Sequence, residues 1–292
     1  MNPLVVKVGG AAGVDNEAVC ADVAALVAEG WPVVLVHGAS AAADALAARA
    51  GLPVRQLVSP SGHVSRYTDP ETLELYVAAA AGQVNKRLVA YLQGLGCNAI
   101  GLSGVDGRLL VARRKAAVRT VENGRQRVVR NDYTGQLEAA NGQLLRLLLE
   151  AGYTPVIAPL ALGGEGERLN VDGDRAAALL AGALAAHSLI ILSNVPGLLA
   201  AYPDEDSLIR HVPTASLGWA ESLAQGRMKK KLLAAREALT AGVPQVILAD
   251  SRRPAPLRAA LAGEGTVLGD QLAGIGYLVL DSMVFASEAL VP

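Results

Sequence analysis

The residues with the types and spacing for chemistry begin at the amino end, where Lys7, Gly9 and Gly10 close the run Leu4-Val5-Val6-Lys7-Val8-Gly9-Gly10-Ala11. A buried strand of β-branched residues that carries one ammonium and ends in side-chain-free positions presents a cation and a bare backbone to whatever lies at its tip. That combination suits an oxyanion, and a following helix, with Asn16 as candidate cap, adds partial positive charge. The same residues would also serve a lysine reaching solvent from an edge strand above an ordinary glycine turn. A second small-residue turn, His37-Gly38-Ala39-Ser40, follows the next strand-like run. Arg66 stands just before the helix start Asp69-Pro70, where a guanidinium suits a bidentate carboxylate; on a solvated loop it would be a plain surface arginine. Asp172 and Asp174 share part of the spacing of a calcium loop, but helix follows at once and the closing glutamate is missing, which excludes an EF-hand. Lys229, Lys230 and Lys231 open a helix whose macrodipole already places positive charge there, so an anionic group must offset them.

These residues need a frame to bring them together. Apolar residues at helical spacing predict a helix over 16–29 that stops at Gly30, then a strand over 32–37 and a helix running to Gly51. Two β-turn-helix units with their glycines at the strand ends place both turns along one edge of a parallel sheet, the edge at which open α/β sheets bind ligands. Neither turn matches a Walker P-loop or a dinucleotide fingerprint. Asp69 and Pro70 start a long helix over 70–95, and Gly94-Leu95-Gly96 closes it as a C-cap. Further alternation follows: a strand at 99–102, a helix at 141–151, a strand at 154–158, an Ala-rich helix to about Ala186, a strand at 188–192 and the lysine-led helix to about Ala241.

Composition narrows the class. With 292 residues and 52% hydrophobic content the chain can bury a large α/β core, and no uninterrupted apolar run is long enough to span a bilayer. The amino end lacks a basic region followed by a cleavable apolar segment, so the cytoplasm is the expected location. Cys20 and Cys97 are the only cysteines, far apart, and read as small core residues rather than a disulfide or zinc site. The formal charge of −1 hides one anomaly: residues 108–130 carry eight cations, among them Arg113, Arg114, Lys115 and Arg119, against the single acid Glu122. Its centre, Val121-Glu122-Asn123-Gly124-Arg125, predicts a hairpin turn, so a projecting basic hairpin is expected, a dock for something acidic and larger than a metabolite or simply a solvated face. Nucleic acid is a poor partner for it because no aromatic side chains are interleaved for stacking.

Lys7-x-Gly9-Gly10, His37-Gly38-Ala39-Ser40, Asn170-x-x-x-Asp174, Ser193-Asn194-Val195-Pro196-Gly197 and Gly226-x-Met228-x-x-Lys231 together resemble the amino acid kinase superfamily in its acetylglutamate kinase branch, over roughly residues 4–268. Within it, Ser59-Pro60-Ser61-Gly62, Ser65-Arg66-Tyr67-Thr68-Asp69, the basic segment and Ala224-Gln225-Gly226-Arg227-Met228-Lys229 look most like the kinases of the carrier-protein lysine route. Those enzymes phosphorylate the side-chain carboxylate of 2-aminoadipate while its amino group is held by the small acidic carrier LysW.

The resemblance implies a three-layer αβα sandwich around a mostly parallel sheet of about eight strands, the amino acid kinase or carbamate kinase-like fold. It implies a substrate lobe over 1–168 with the basic hairpin at 108–130, an ATP lobe over 169–268 and a tail at 269–292 of unassigned role. Lys7 and Lys231 would flank the transferred phosphoryl group and Asp174 would hold both ammonium groups. Gly9, Gly10, Gly38 and Ala39 would turn amides towards phosphoryl and acceptor oxygens, Arg66 and Asn170 would grip the α-carboxylate, and Ser193, Asn194, Val195 and Gly197 would line the nucleotide site. Arg113, Arg114, Lys115 and Arg119 would dock the carrier, ATP would come with Mg2+ and no protein metal ligand, and the chain would form a homodimer. Ala39 and Asn194 depart from the family's usual glycine and aspartate. Free N-acetylglutamate is the alternative acceptor, though a small free acid gives no reason for eight cations; a non-catalytic nucleotide sensor is the alternative class, though a sensor needs no phosphoryl clamp.

Overall fold

β-Branched runs and Ala- and Leu-rich runs alternate along the chain, and the backbone of the computed structural model follows them. It describes residues 1–270 apart from 12, 61, 63, 123 and 124; Ser61 and His63, the predicted Asn123-Gly124 turn and the tail beyond Asp270 lie outside the described residues. The first third contains β1 (Leu4–Val8), α1 (Asn16–Ala28), β2 (Val33–His37), α2 (Ser40–Arg49), β3 (Gln56–Val58), β4 (Val64–Arg66), α3 (Pro70–Val77) and α4 (Asn85–Gly94). The middle holds β5 (Ala99–Ser103), β6 (Leu110–Arg114), β7 (Val118–Glu122), β8 (Arg125–Val129), β9 (Gly135–Ala140), α5 (Gly142–Glu150), β10 (Thr154–Ala158), β11 (Leu160–Leu162) and β12 (Arg168–Asn170). The last part is α6 (Gly173–Leu184), β13 (Ser188–Ser193), β14 (His211–Val212), α7 (Leu217–Leu223), α8 (Met228–Thr240), β15 (Val246–Asp250), α9 (Pro256–Leu261) and β16 (Thr266–Leu268).

Eight strands form the main sheet in the order β14-β16-β15-β13-β1-β2-β10-β5. All neighbours are parallel except β15 and β16. β1 is therefore central, which removes the edge-strand reading of Lys7. Residues alternate between the sheet's two faces: Val5, Val34, Val36, Leu189, Ile191 and Leu248 pack in one core with α6 and α8. Leu4, Val6, Val8, Leu35, Ile190 and Ile247 pack in the other with α1, α4 and α9. Lys7 has the parity of Val5 and pairs in register with Val36 and Ile191, so its side chain emerges towards α6. Cys20 and Cys97 are buried, and burial pushes the Cys20 thiol up to about 12, which leaves it inert at neutral pH.

Three local expectations need correction. Asp15, not Asn16, caps α1: its carboxylate accepts from the amides of Glu17 and Ala18 at 3.1 and 3.0 Å. The predicted 70–95 helix is continuous but passes through a π-helical stretch, Ala78–Val84, that apolar spacing does not signal. The basic segment is not one hairpin. β6 lies between β11 and β9 in a separate four-stranded sheet because Leu110 and Ala112 are buried there. Arg113 consequently pairs with Glu138 at 2.9 Å, while the Arg114 guanidinium stacks 3.5 Å from the Tyr133 ring centre and donates to the Asp132 carbonyl at 3.0 Å. The two-stranded hairpin is β7–β8 alone, carrying Arg119, Arg125 and Arg127. It is anchored where buried Thr120 exchanges 3.2 Å hydrogen bonds with the Val58 backbone of β3.

Candidate active site

Parallel pairing brings the carboxyl ends of β1, β2 and β13 to one edge, so Gly9, Gly10, Gly38 and Ser193 lie along it. α6 starts above that edge because Asp172 caps it, accepting from the amides of Asp174 and Arg175 at 3.0 and 3.2 Å. Gly173, in the first turn of α6, packs at van der Waals distance from the Lys7 side chain. Lys7 Nζ then meets Asp174 Oδ1 at 2.7 Å, and Lys231 Nζ from the first turn of α8 meets Asp174 Oδ2 at 3.1 Å. The three side chains are only 9–10% exposed. Lys230 reaches Asp172 at 3.5 Å, so two carboxylates at the start of α6 supply the anionic offset that the lysine-led helix requires.

Burial alone would push the Asp174 carboxyl up, but the ammonium groups of Lys231 and Lys7 outweigh it and hold the carboxyl well below the usual carboxylate range. Burial lowers Lys231, and its contacts with Asp174 only partly restore it. Two ammonium groups on one carboxylate leave an uncompensated positive charge at the sheet edge. This is an arrangement for charge that appears during a reaction.

The two glycine turns are packed backbone against backbone: a Cβ on Gly10 would collide with Gly38 and Ala39, and one on Gly38 would collide with Gly10. Ser40 Oγ and the Ala41 amide both donate to the Gly10 carbonyl, at 2.9 and 2.8 Å. The expected set of open amides shrinks as a result. The Gly9 amide donates to Leu192 O at 3.2 Å and the Gly38 amide to Val8 O at 2.9 Å, extending the ladders of β1 and β2. Among the described residues only the Gly10 and Ala39 amides of these four lack a protein acceptor. Ala39 has φ of −139°, which any residue adopts, so alanine is no obstacle at this turn. His37 is buried beneath it, with Asn85 Nδ2 3.2 Å from its Nε2, and burial pushes its pKa down to about 4. The ring is neutral and, with Asn85 donating, carries its proton on Nδ1.

Arg66, at the end of β4, donates to Asp44 Oδ1 at 2.6 Å and to Ser40 O at 3.3 Å. Asn170, at the end of β12, donates through Nδ2 to Thr68 Oγ1 at 3.1 Å, and the same Thr68 hydroxyl donates to Arg66 O at 3.2 Å. The structure thus joins the Asn170 side chain and the backbone of Arg66 through one threonine. Thr68 lies in the Ser65-Arg66-Tyr67-Thr68-Asp69 segment of the sequence, which gives it no role of its own. In the segment after β13, Ser193 O accepts from the Ser251 amide at 2.7 Å and the Leu198 amide donates to Thr266 Oγ1 at 2.8 Å. Gly197 is buried against Thr266, while Asn194 is exposed and Val195 half-buried at the sheet edge.

Residues 2–250 match the model of the Amino acid kinase family, and the chain belongs to that family, a family of phosphotransferases. Relatives sharpen the comparison. The chain is 55% identical over 267 residues to a LysW-aminoadipate kinase of Thermus thermophilus, covering 91% of this chain and 99% of that one. It is 52% identical over 268 residues to a LysW-aminoadipate kinase of Deinococcus radiodurans, covering 92% of each. Among solved structures, N-acetylglutamate synthase from Neisseria gonorrhoeae superposes with a TM-score of 0.75 at 26% identity, over 93% of this chain and 60% of that longer one. The expected sandwich of helices around an eight-stranded, mostly parallel sheet is the fold observed.

Proposed function

We propose that the chain transfers the γ-phosphoryl group of ATP to the side-chain carboxylate of 2-aminoadipate carried on the amino-group carrier protein LysW, in lysine biosynthesis in the cytoplasm. The single observation behind it is the Lys7–Asp174–Lys231 cluster at the edge formed by β1 and β2. The relatives that cover nearly the whole chain supply the acceptor.

A carboxylate is already a nucleophile near neutral pH, so the protein's work is alignment and charge stabilisation rather than proton removal. The carboxylate oxygen forms a bond to phosphorus, the bond to the β,γ-bridging oxygen breaks, and ADP leaves with that electron pair. Lys7 and Lys231 stabilise the oxyanions of the moving group from two sides, Asp174 fixes their separation, and the Gly10 and Ala39 amides point donors at the same region. Arg66 and Asn170 bind the acceptor's α-carboxylate, and Ser193, Asn194, Val195 and Gly197 line the nucleotide. Magnesium accompanying the nucleotide would supply charge neutralisation at its phosphates. The N-terminal half contributes the acceptor lobe, the part from 169 the nucleotide lobe, and Arg119 with its β7–β8 hairpin the carrier dock. Lys115, exposed just before the hairpin, adds to its positive charge. Assembly as a homodimer belongs to the same reading.

Incubation with Mg-ATP, carrier-linked 2-aminoadipate and hydroxylamine tests this. A hydroxamate should form on the carrier; ATP binding without any hydroxamate, from this acid or from N-acetylglutamate, would return the chain to a sensor.

A further inference from the structure

Thr68 is wholly buried although it carries a hydroxyl, and every polar atom it has is used. Its amide donates to Asp132 Oδ1 at 2.9 Å and its carbonyl accepts from the Tyr133 amide at 2.7 Å. Its hydroxyl donates to the Arg66 carbonyl and accepts from Asn170 Nδ2. The Tyr133 carbonyl in turn accepts from the Asn170 amide at 2.9 Å. Asp132 is 2% exposed and also accepts from Thr134 Oγ1. On its far side the segment is clamped by Arg114, which lies over Tyr133 and donates to the Asp132 carbonyl.

Among the described residues the Asp132 carboxylate accepts hydrogen bonds from neutral donors, the Thr68 amide and the Thr134 hydroxyl, and burying it costs free energy unless its geometry is needed. What this one holds is the backbone of Thr68, and the Thr68 hydroxyl ties the Asn170 side chain to the Arg66 backbone carbonyl, the Arg66 guanidinium being held separately by Asp44 and Ser40 O. The acceptance by Thr68 also fixes the Asn170 amide orientation, turning Nδ2 towards Thr68. We propose that Thr68 is a positioning residue for the phosphoryl acceptor, fixing the Asn170 amide orientation and its place relative to the backbone that carries Arg66, and that Asp132, braced by Arg114 and Tyr133, holds Thr68 in place. The inference rests on the assignment of Arg66 and Asn170 to the acceptor carboxylate. It gives Arg114 a bracing task in place of carrier docking.

Thr68→Val removes the hydroxyl, keeps the shape and leaves the amide bond to Asp132 intact; Thr68→Ser keeps the hydroxyl. Steady-state kinetics with carrier-linked 2-aminoadipate should show KM for the acceptor rising about tenfold in Thr68→Val, the scale of one hydrogen bond to a binding group. KM for ATP should stay unchanged, and Thr68→Ser should recover to within about twofold of wild type. An unchanged acceptor KM in Thr68→Val, or equal damage from Ser and Val, would overturn the positioning role. Asn170→Ala is the control beneath it: if that variant leaves the acceptor KM unchanged, the acceptor assignment falls and this inference with it. If Asn170→Ala raises the acceptor KM and Thr68→Val does not, only the positioning role falls.

Discussion

Lys7 and Lys231 differ from the other lysines of this chain in being nearly buried and in sharing one carboxylate. Neither has a structural reason to be cationic there; an apolar residue at position 7 would pack with Val36 and Ile191 more cheaply than an ion pair. The proposed function gives them one: charge that develops between them during phosphoryl transfer. Lys7→Ala and Lys231→Ala should each lower kcat by about 10²- to 10³-fold, the range for removing one preorganised donor, and kcat within a few-fold of wild type would remove that lysine from the mechanism. His37 offers a separate residue-scale check. Its folded-state pKa of about 4 lies below the ordinary 6.5, so between those values the unfolded chain binds more protons and stability falls as pH falls. Up to about 3 kcal/mol should be lost across that window, read from urea midpoints near its two ends. His37→Asn should flatten the loss; an equal loss in the variant would place the sensitivity elsewhere.

At the scale of elements, the site is a joint between the start of α6, the start of α8 and the tip of β1. Asp174 is the pin. Asp174→Ala leaves two buried ammonium groups facing each other and should cost about 3–5 kcal/mol of unfolding free energy, the penalty for breaking a buried pair by removing one partner. A loss under about 1 kcal/mol in thermal or urea unfolding would show that the lysines find solvent without it. The hairpin β7–β8 makes a different prediction. Arg119→Glu with Arg125→Glu should raise KM for a carrier-linked acid in a salt-sensitive way and leave a free acid unaffected. Equal effects on both acids would remove the docking role. Arg114→Glu should instead impair both acids alike, because it breaks the stack on Tyr133 and the bond to Asp132.

Across the whole molecule, legibility tracked how local the determining interaction is. Lys7 and the lysine-led helix stand out in the sequence because they sit beside glycines or at a helix start, whereas the roles of Asp174 and Lys231 came from the family resemblance. That Gly9 and Gly38 spend their amides on Leu192 and Val8 could not be read there, since this depends on which strands lie beside β1. The boundary of the basic hairpin was misplaced for the same reason: β6 has the composition of a hairpin arm, and only its pairing with β9 and β11 shows it to be interior to another sheet. The sequence places Thr68 in a family-like segment but cannot show its bond to Asp132, which joins positions 64 residues apart. The eight-stranded sheet itself was anticipated from repeated β-turn-helix units together with the family resemblance, and it is what makes one central strand deliver its lysine to a site formed by both halves. The proposed function requires that this site act on an acid held by a carrier rather than on a free one. The most direct measurement is the ratio of kcat/KM for LysW-linked 2-aminoadipate to that for N-acetylglutamate, followed as hydroxamate. A ratio far above one is predicted; a ratio below one would contradict the claim and assign the enzyme to the free acid.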